Sequence, residues 1–255
     1  MDFKEIVRRL KDVSDTPRLD ARLLTESGGN LEEKINRRLN HEPVSKIIGK
    51  KGFWKSEFIT SSNVLDPRPD SETIIESVLK YYSEKNKPYR ILDIGVGSGC
   101  LLFSLLDEYP YAAGVGVDIS PDALLVAEQN KGNRFATLFQ KDLYDNHWTD
   151  DLDRFDIIIS NPPYIPSQDI KKLSPDVRLY DPIIALDGGQ DGLDAYRALA
   201  QNLSSVLAPK GSIFLEIGQG QEQDVADIFV AAGFKFCQAF PDFGGIIRVV
   251  VFQKD

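Results

Sequence analysis

The sequence predicts an α/β protein: a mostly parallel, seven-stranded sheet ending in an antiparallel hairpin, with a small helical part in front of it. Three observations carry this. From Arg90 onward, short apolar runs alternate with stretches of helical spacing, the pattern of βαβ units and of a parallel sheet covered on both faces. The last two apolar runs, "FKFCQAF" and "IIRVVVFQ", are separated only by the stretch from Pro241 to Gly245. That is too short for a parallel crossover, so they pair antiparallel. The first forty residues carry helical spacing instead.

Taken in order, "FKEIVRRL", "DARLLTES" and "NLEEKINRRLN" read as short helices, with Asp20 and Asn30 as N-caps and Gly28-Gly29 as a stop. "GKKGFWKSEFITSSNVL" mixes Gly, aromatic and β-branched residues and reads as a hairpin or extended connector. The boundary is expected near residue 65, giving an N-terminal helical part over 1–65 and a second domain over 66–255. Five strands follow in "RILDIG", "AGVGVDI", "ATLFQKDL", "RFDIIISN" and "GSIFLEIG", and the closing hairpin makes seven. Helices are expected in "CLLFSLLDEY", "PDALLVAEQN", "DAYRALAQNLSSVL" and "QEQDVADIFVAAG".

Composition narrows the function. The 255 residues hold 30 Lys/Arg against 39 Asp/Glu, a net charge of −9, which argues against an extended phosphate-binding surface and so against direct nucleic-acid binding. The charge is uneven: residues 1–60 hold 13 basic against 10 acidic side chains, and the remainder 17 against 29. Cys100 and Cys237 lie far apart without metal-ligand spacing, and His41 and His147 are the only histidines, so no metal site is expected. A reduced, cytoplasmic compartment fits. The first twenty residues mix charges, and no run approaches the roughly 18 apolar residues of a membrane span; neither export nor anchoring is expected, and the chain is expected to act as a monomer.

"ILDIGVGSGCLL", residues 91–102, runs from a strand through Gly95, Gly97 and Gly99 into a helix. Glycines allow a tight turn and close approach to a ligand. The dinucleotide fingerprint wants a further glycine three places on, where this chain has Cys100 or Leu102. A pyrophosphate ligand is therefore disfavoured. What remains, Asp93-x-Gly95-x-Gly97-x-Gly99, resembles the first motif of class I S-adenosylmethionine-dependent methyltransferases, whose cofactor has no phosphate. That resemblance implies a Rossmann-like class I fold and cofactor contacts from Gly95, Val96, Gly97, Ser98 and Gly99.

Asp118 closes the second strand 19 residues after Gly99, where a carboxylate can accept both ribose hydroxyls. Asp142 closes the third, where a carboxylate can take the adenine amino group while Leu143 covers the ring. For Asp142 an ordinary turn role stands equally open. The fourth strand ends in Asn161-Pro162-Pro163-Tyr164. Prolines cannot donate backbone hydrogen bonds and fix φ near about −65°, so they stop the strand and stiffen its exit. The Asn161 side-chain carbonyl and the Pro162 carbonyl can then accept both N–H bonds of a planar amino or amide group, and Tyr164 offers an aromatic face to pack it. An Asx-type turn is the plainer reading of an isolated Asn-Pro. Behind a cofactor loop, NPPY is characteristic of methyltransferases acting on amino or amide nitrogen, both adenine N6 and glutamine N5.

Three further stretches choose between them. "VLDPRPDSETIIE" (64–76), "ALDGGQDGLDAYR" (185–197) and "FLEIGQGQ" (214–221) resemble segments of the HemK/PrmC family, the glutamine N5-methyltransferases of peptide chain release factors. "EPVSKIIGKKGFWKSEF" (42–58) follows the same family's N-terminal pattern. The likeness covers nearly the whole chain. Two departures stand out: Asp70-Ser71-Glu72 replaces the usual acid and Thr-Glu while keeping a hydroxyl and a carboxylate, and Lys46-Ile47-Ile48-Gly49 replaces the usual Tyr-Ile before the glycine.

The resemblance implies transfer of a methyl group from S-adenosylmethionine, leaving S-adenosylhomocysteine, to the side-chain nitrogen of the glutamine in the Gly-Gly-Gln motif of class-1 release factors. Asn161, Pro162, Pro163 and Tyr164 would contact substrate, with Asn161 also beside the cofactor. Asn161, Pro162 and Tyr164 would carry the chemistry. Arg68 or Ser71 could reach the methionine end of the cofactor, or Arg68 could form a structural salt bridge. Glu216 matches a family position or caps the next helix. Gly188-Gly189-Gln190 reads as a turn. Rival readings are glutamine methylation of a ribosomal protein, adenine-N6 methylation, for which the acidic second domain offers no basic groove, and a binding module without activity.

Overall fold

Short, nearly continuous apolar runs make strands that can be buried on both faces, and the helical stretches alternating with them cover those faces. In the computed structural model, which describes residues 2–254, this alternation produces a seven-stranded sheet. In chain order its strands are β3 (Arg90–Ile94), β4 (Ala113–Asp118), β5 (Ala136–Gln140), β6 (Phe155–Ser160), β7 (Leu207–Glu216), β8 (Phe234–Pro241) and β9 (Ile247–Lys254). A separate antiparallel pair, β1 (Lys50–Phe53) and β2 (Ser56–Ile59), precedes them. The sheet order is β5-β4-β3-β6-β7-β9-β8. The pairs from β5 to β7 are parallel, and β9 runs antiparallel to both neighbours, as the short 241–245 connection requires.

Alternate residues of one strand serve opposite cores. Ile91, Ile157, Ile159, Phe214, Val249 and Val251 pack under helices α5 (Glu72–Tyr81) and α6 (Cys100–Glu108). Their neighbours Leu92, Ile158, Ile213, Leu215, Val250 and Phe252 pack under α9 (Asp194–Val206) and α10 (Glu222–Ala231). The remaining helix over the sheet, α7 (Pro121–Lys131), lies beside β4 and β5. It is capped by the Ser120 hydroxyl, which accepts from the Ala123 amide at 3.1 Å.

The N-terminal residues form α1 (Phe3–Leu10), α2 (Pro17–Glu26), α3 (Leu31–Leu39) and the short α4 (Val44–Ile48), around a small core of Ile6, Leu10, Leu24, Ile35 and Ile47. Asn30 caps α3, its side chain accepting from the Glu33 amide. Asp20 is not the N-cap of α2, because Pro17 at the first helical position starts the helix earlier, behind Thr16. Asp20 is instead buried and accepts a hydrogen bond from Arg38 Nε at 2.8 Å. Phe53 and Phe58 of the hairpin pack into the core beneath α5 and α6 rather than into the N-terminal core.

A second junction is polar. The ammonium of Lys46, 3% exposed at its side chain, pairs with Asp181 at 2.7 Å and lies 3.9 Å from Asp66. Asp181 also takes Arg68, and Asp66 takes the hydroxyls of Ser45 and Thr60. Asp181 follows α8 (Pro175–Tyr180), so the N-terminal part is tied to a segment 135 positions further along. No helix among the described residues is long and apolar enough to cross a membrane.

Candidate active site

Strand register assembles the site. Ile94 at the end of β3 pairs with Ser160 at the end of β6 and with Val117 on β4, while Asp118 pairs with Gln140 on β5. The residues just past the strand ends, Gly95, Asn161 and, two places beyond Gln140, Asp142, therefore emerge at one edge of the sheet. Strand order reverses there, between β3 and β6, the topological switch point where open α/β sheets bind ligands.

A cavity of about 530 Å³ opens at this edge, in the range of a small-molecule site. Gly95, Val96, Gly97, Ser98, Asp118, Asp142, Leu143, Asn161 and Pro163 all line it. Gly99, Pro162 and Tyr164 lie outside that wall. Gly99 serves packing: φ is +81°, and a Cβ there would fall 2.1 Å from the ring of Phe103. Gly95 is different, since φ is +75° and nothing lies within 4 Å of an added Cβ. It leaves room for a ligand on the cavity side.

Four of the loop's amides are already committed. Gly95 and Val96 donate to the carbonyl of Val117, Gly99 to that of Val96, and Gly97 to the Asp118 carboxylate at 2.9 Å. A loop whose donors are spent on β4 and on itself is poorly built for pyrophosphate, as the missing third glycine of the dinucleotide fingerprint implies. The lining is acidic as well: Asp66, Asp118, Asp142, Asp187 and Asp194 face Arg68 and Lys141. Apolar walls, an open glycine and an excess of carboxylates fit a ligand with an adenosine body and cationic groups, and S-adenosylmethionine is such a ligand.

Asp118 is half-buried. Burial raises its pKa, and N–H donors from Ser120, Gly97 and Ile119 offset this only in part. Behind the loop, Asp93 is 1% exposed and holds the Leu102 amide. Burial pushes its carboxyl up to about 8, the amide partly offsetting this and Asp118 adding to it. Asp142 accepts from the Tyr144 amide at 2.9 Å, an Asx turn that leaves its carboxylate on the cavity wall.

Asn161 sits at the end of a hydrogen-bonded chain. Its Nδ2 donates to Ser71 Oγ at 3.0 Å, and Ser71 donates to Glu216 Oε2 at 2.5 Å. Tyr164 donates to the other Glu216 oxygen at 3.3 Å. Glu216 is 1% exposed, and burial pushes its carboxyl up to about 7, against the pull of Ser71 and Arg248. It does not cap the next helix, since α10 starts behind Gln221 with no side-chain cap and the Glu216 carboxylate is taken by Ser71 and Tyr164. Arg68 forms an ion pair with Asp181, while its residue also lines the cavity. Ser71 lines the cavity too.

Two further walls lie outside the residues that the sequence assigns to the site, although the first overlaps the 64–76 stretch. Residues 63–67 form one, and Pro182 to Ala185 another, with Ile183 61% and Ile184 56% exposed. Gly188-Gly189-Gln190 is a turn, with Asp187 accepting from the Gly189 amide at 2.9 Å.

Residues 69–174 match the family model "Methyltransferase small domain". The chain is 41% identical over 271 residues to the release factor glutamine methyltransferase of Caulobacter vibrioides, covering 97% of this chain and 93% of that protein. It is 43% identical over 238 residues to the protein of the same name from Rhodospirillum rubrum, covering 92% and 72%. Among solved structures, a ribosomal protein L11 methylase from Lactobacillus delbrueckii subsp. bulgaricus superposes with a TM-score of 0.54 at 18% identity, over 75% of this chain and 82% of that one. The last shares the class I methyltransferase fold alone. On the likeness to the Caulobacter vibrioides and Rhodospirillum rubrum proteins, the chain belongs to the release factor glutamine methyltransferase family.

Proposed function

We propose that this chain methylates the side-chain amide nitrogen of the Gly-Gly-Gln glutamine in class-1 peptide chain release factors, with S-adenosylmethionine as methyl donor. The observation that carries the reading is the placement of Asn161 on the wall of the cavity that Gly95, Asp118 and Asp142 also line, in a chain of this family.

When bound, S-adenosylmethionine supplies an electrophilic methyl group on a positively charged sulfur. Asp118 would hold the ribose hydroxyls through the carboxylate that also tethers the Gly97 amide. Asp142 and Leu143 would take the adenine, and the loop from Gly95 to Ser98 the methionine end. Asn161 Oδ1 and the carbonyl of Pro162 would accept the two N–H bonds of the substrate amide. An amide nitrogen is a poor nucleophile because its lone pair is delocalised. Accepting both hydrogens out of plane favours the pyramidal form, and acceptors fixed in advance need no reorganisation during the reaction. Tyr164, anchored on Glu216, stiffens the NPPY exit. The helical part over 1–65, with its basic excess, would meet the protein substrate.

The test offers methyl-labelled S-adenosylmethionine with purified release factor, with ribosomal proteins, or with DNA. Label is expected on the Gly-Gly-Gln glutamine. Label only on ribosomal protein or on adenine would contradict the proposal.

A further inference from the structure

Asn161 comes from the end of β6, Ser71 from the 3-10 turn before α5, and Glu216 from the end of β7. They form one continuous hydrogen-bonded line. We infer that Ser71 and Glu216 are positioning residues that set which end of the Asn161 amide faces the substrate, and that this setting requires Glu216 to be ionised. The inference rests on the proposed role of Asn161 as an acceptor.

Proton counting carries the argument. An ionised carboxylate has only acceptors, so both hydroxyls that touch Glu216 must donate to it. Ser71 has a single hydroxyl proton, and the 2.5 Å bond to Glu216 consumes it. Ser71 can then only accept from Asn161. The amide must point Nδ2 at Ser71, which leaves Oδ1 as the acceptor on the substrate side. Protonating Glu216 reverses the line. The carboxyl can donate to Ser71, the Ser71 proton turns toward Asn161, and the amide is satisfied by flipping. It then offers N–H groups to a substrate that also brings N–H groups.

The surroundings of Glu216 place this switch in an accessible range. The group is buried. It is faced by Ser71 and Asp70 from the 3-10 turn, by Tyr164, and by Arg248 from β9, while Tyr196 on α9 donates to its backbone carbonyl at 2.8 Å. Arg248 is shared with Asp70 and Asp242, each at 3.1 Å, so its charge does not belong to Glu216 alone. Burial outweighs these partners and brings the carboxyl up to about 7.

The experiment has two arms. In the first, turnover on release factor is followed from pH 5.5 to 8.5 at saturating cofactor, with cofactor affinity measured by calorimetry for each variant. The parent is expected to lose kcat with unit slope on the acid side. Ser71→Ala should lower kcat by about tenfold or more with little change in KM for the protein substrate, Ser71→Thr should restore most of it, and Glu216→Gln should be slow and flat across the range. In the second arm, the side-chain amide resonances of Asn161 are followed by NMR with no substrate present. They are expected to titrate with a single midpoint in the parent and not in Glu216→Gln. Parental kcat in Ser71→Ala, a defect confined to cofactor affinity, or Asn161 resonances that ignore pH would each overturn the inference. The Ser71 variants and the parental titration decide it if Glu216→Gln does not fold. Failure of the parent to methylate release factor contradicts the proposed substrate instead, and the NMR arm still decides the positioning.

Discussion

Ser71 Oγ and Asn161 Nδ2 are 3.0 Å apart, although ninety positions separate the two residues in sequence. The contact joins the PRPDSE segment to NPPY, two stretches that the chain pattern presents as unrelated, and makes the side chain of Asn161 part of a rigid frame that reaches β7. A hydrogen-bonding group that must act on a developing charge is most useful when its own orientation is settled beforehand.

Asp118 should govern cofactor affinity. Its carboxylate holds the Gly97 amide and the Ser120 amide, each at 2.9 Å, so Asp118→Ala removes a ligand acceptor and also the tether of the glycine loop. S-adenosylmethionine binding is expected to weaken by at least about 1–3 kcal/mol. Isothermal calorimetry reads this directly. Equal affinity would place the ribose elsewhere.

Lys46 should matter for stability out of proportion to its place in the N-terminal part. It neutralises Asp181, whose side chain is 1% exposed, and stands close to Asp66. Lys46→Met leaves buried carboxylates without their ammonium, at about 3–5 kcal/mol. The urea midpoint is expected to drop accordingly. Cofactor affinity should fall with it, because Asp181 immediately precedes the cavity wall that begins at Pro182. A midpoint unchanged in Lys46→Met would show that Arg68 alone suffices to neutralise Asp181.

Stability should fall as pH rises through neutrality. The folded-state pKa values of Asp93 and Glu216 are raised by burial to about 8 and about 7. Each carboxyl stabilises the folded state below its unfolded pKa, and that contribution is lost as pH climbs through the folded value. The window is therefore about pH 4 to 8, and the combined effect is on the order of several kcal/mol. Asp93→Asn keeps an acceptor for the Leu102 amide and removes one titration. Its urea midpoint should decline less between pH 5 and pH 8 than that of the parent. Identical declines would refute the assignment to Asp93.

The sheet was legible because strands buried on both faces read as short apolar runs set between helical stretches, from "RILDIG" through to the hairpin. The glycine loop, Asp118 and Asp142 were legible because strand ends converge by topology. What the pattern did not carry was local competition and distance. Asp20 looks like a cap, but Pro17 starts α2 sooner, and the carboxylate goes to Arg38. The short α4 and α8 begin behind Pro43 and at Pro175 and lack enough turns to show a period. The link from Ser71 to Glu216 spans 145 positions, and no spacing rule announces such a contact. Gly99 illustrates the converse: it sits in the motif, yet its place is set by the ring of Phe103 rather than by the cavity.

The central claim is that Asn161 accepts a hydrogen bond from the amide that is methylated. The most direct measurement compares Asn161→Ala with the parent, using full-length release factor, saturating S-adenosylmethionine and quantitation of the methylated Gly-Gly-Gln glutamine. Substrate binding, spread over a protein surface, should change little. Turnover should fall by about 10²–10³, as when one positioned transition-state donor or acceptor is lost elsewhere. Parental turnover in a folded Asn161→Ala that still binds cofactor would contradict the account, and would mean that the prolines behind it do no more than end a strand.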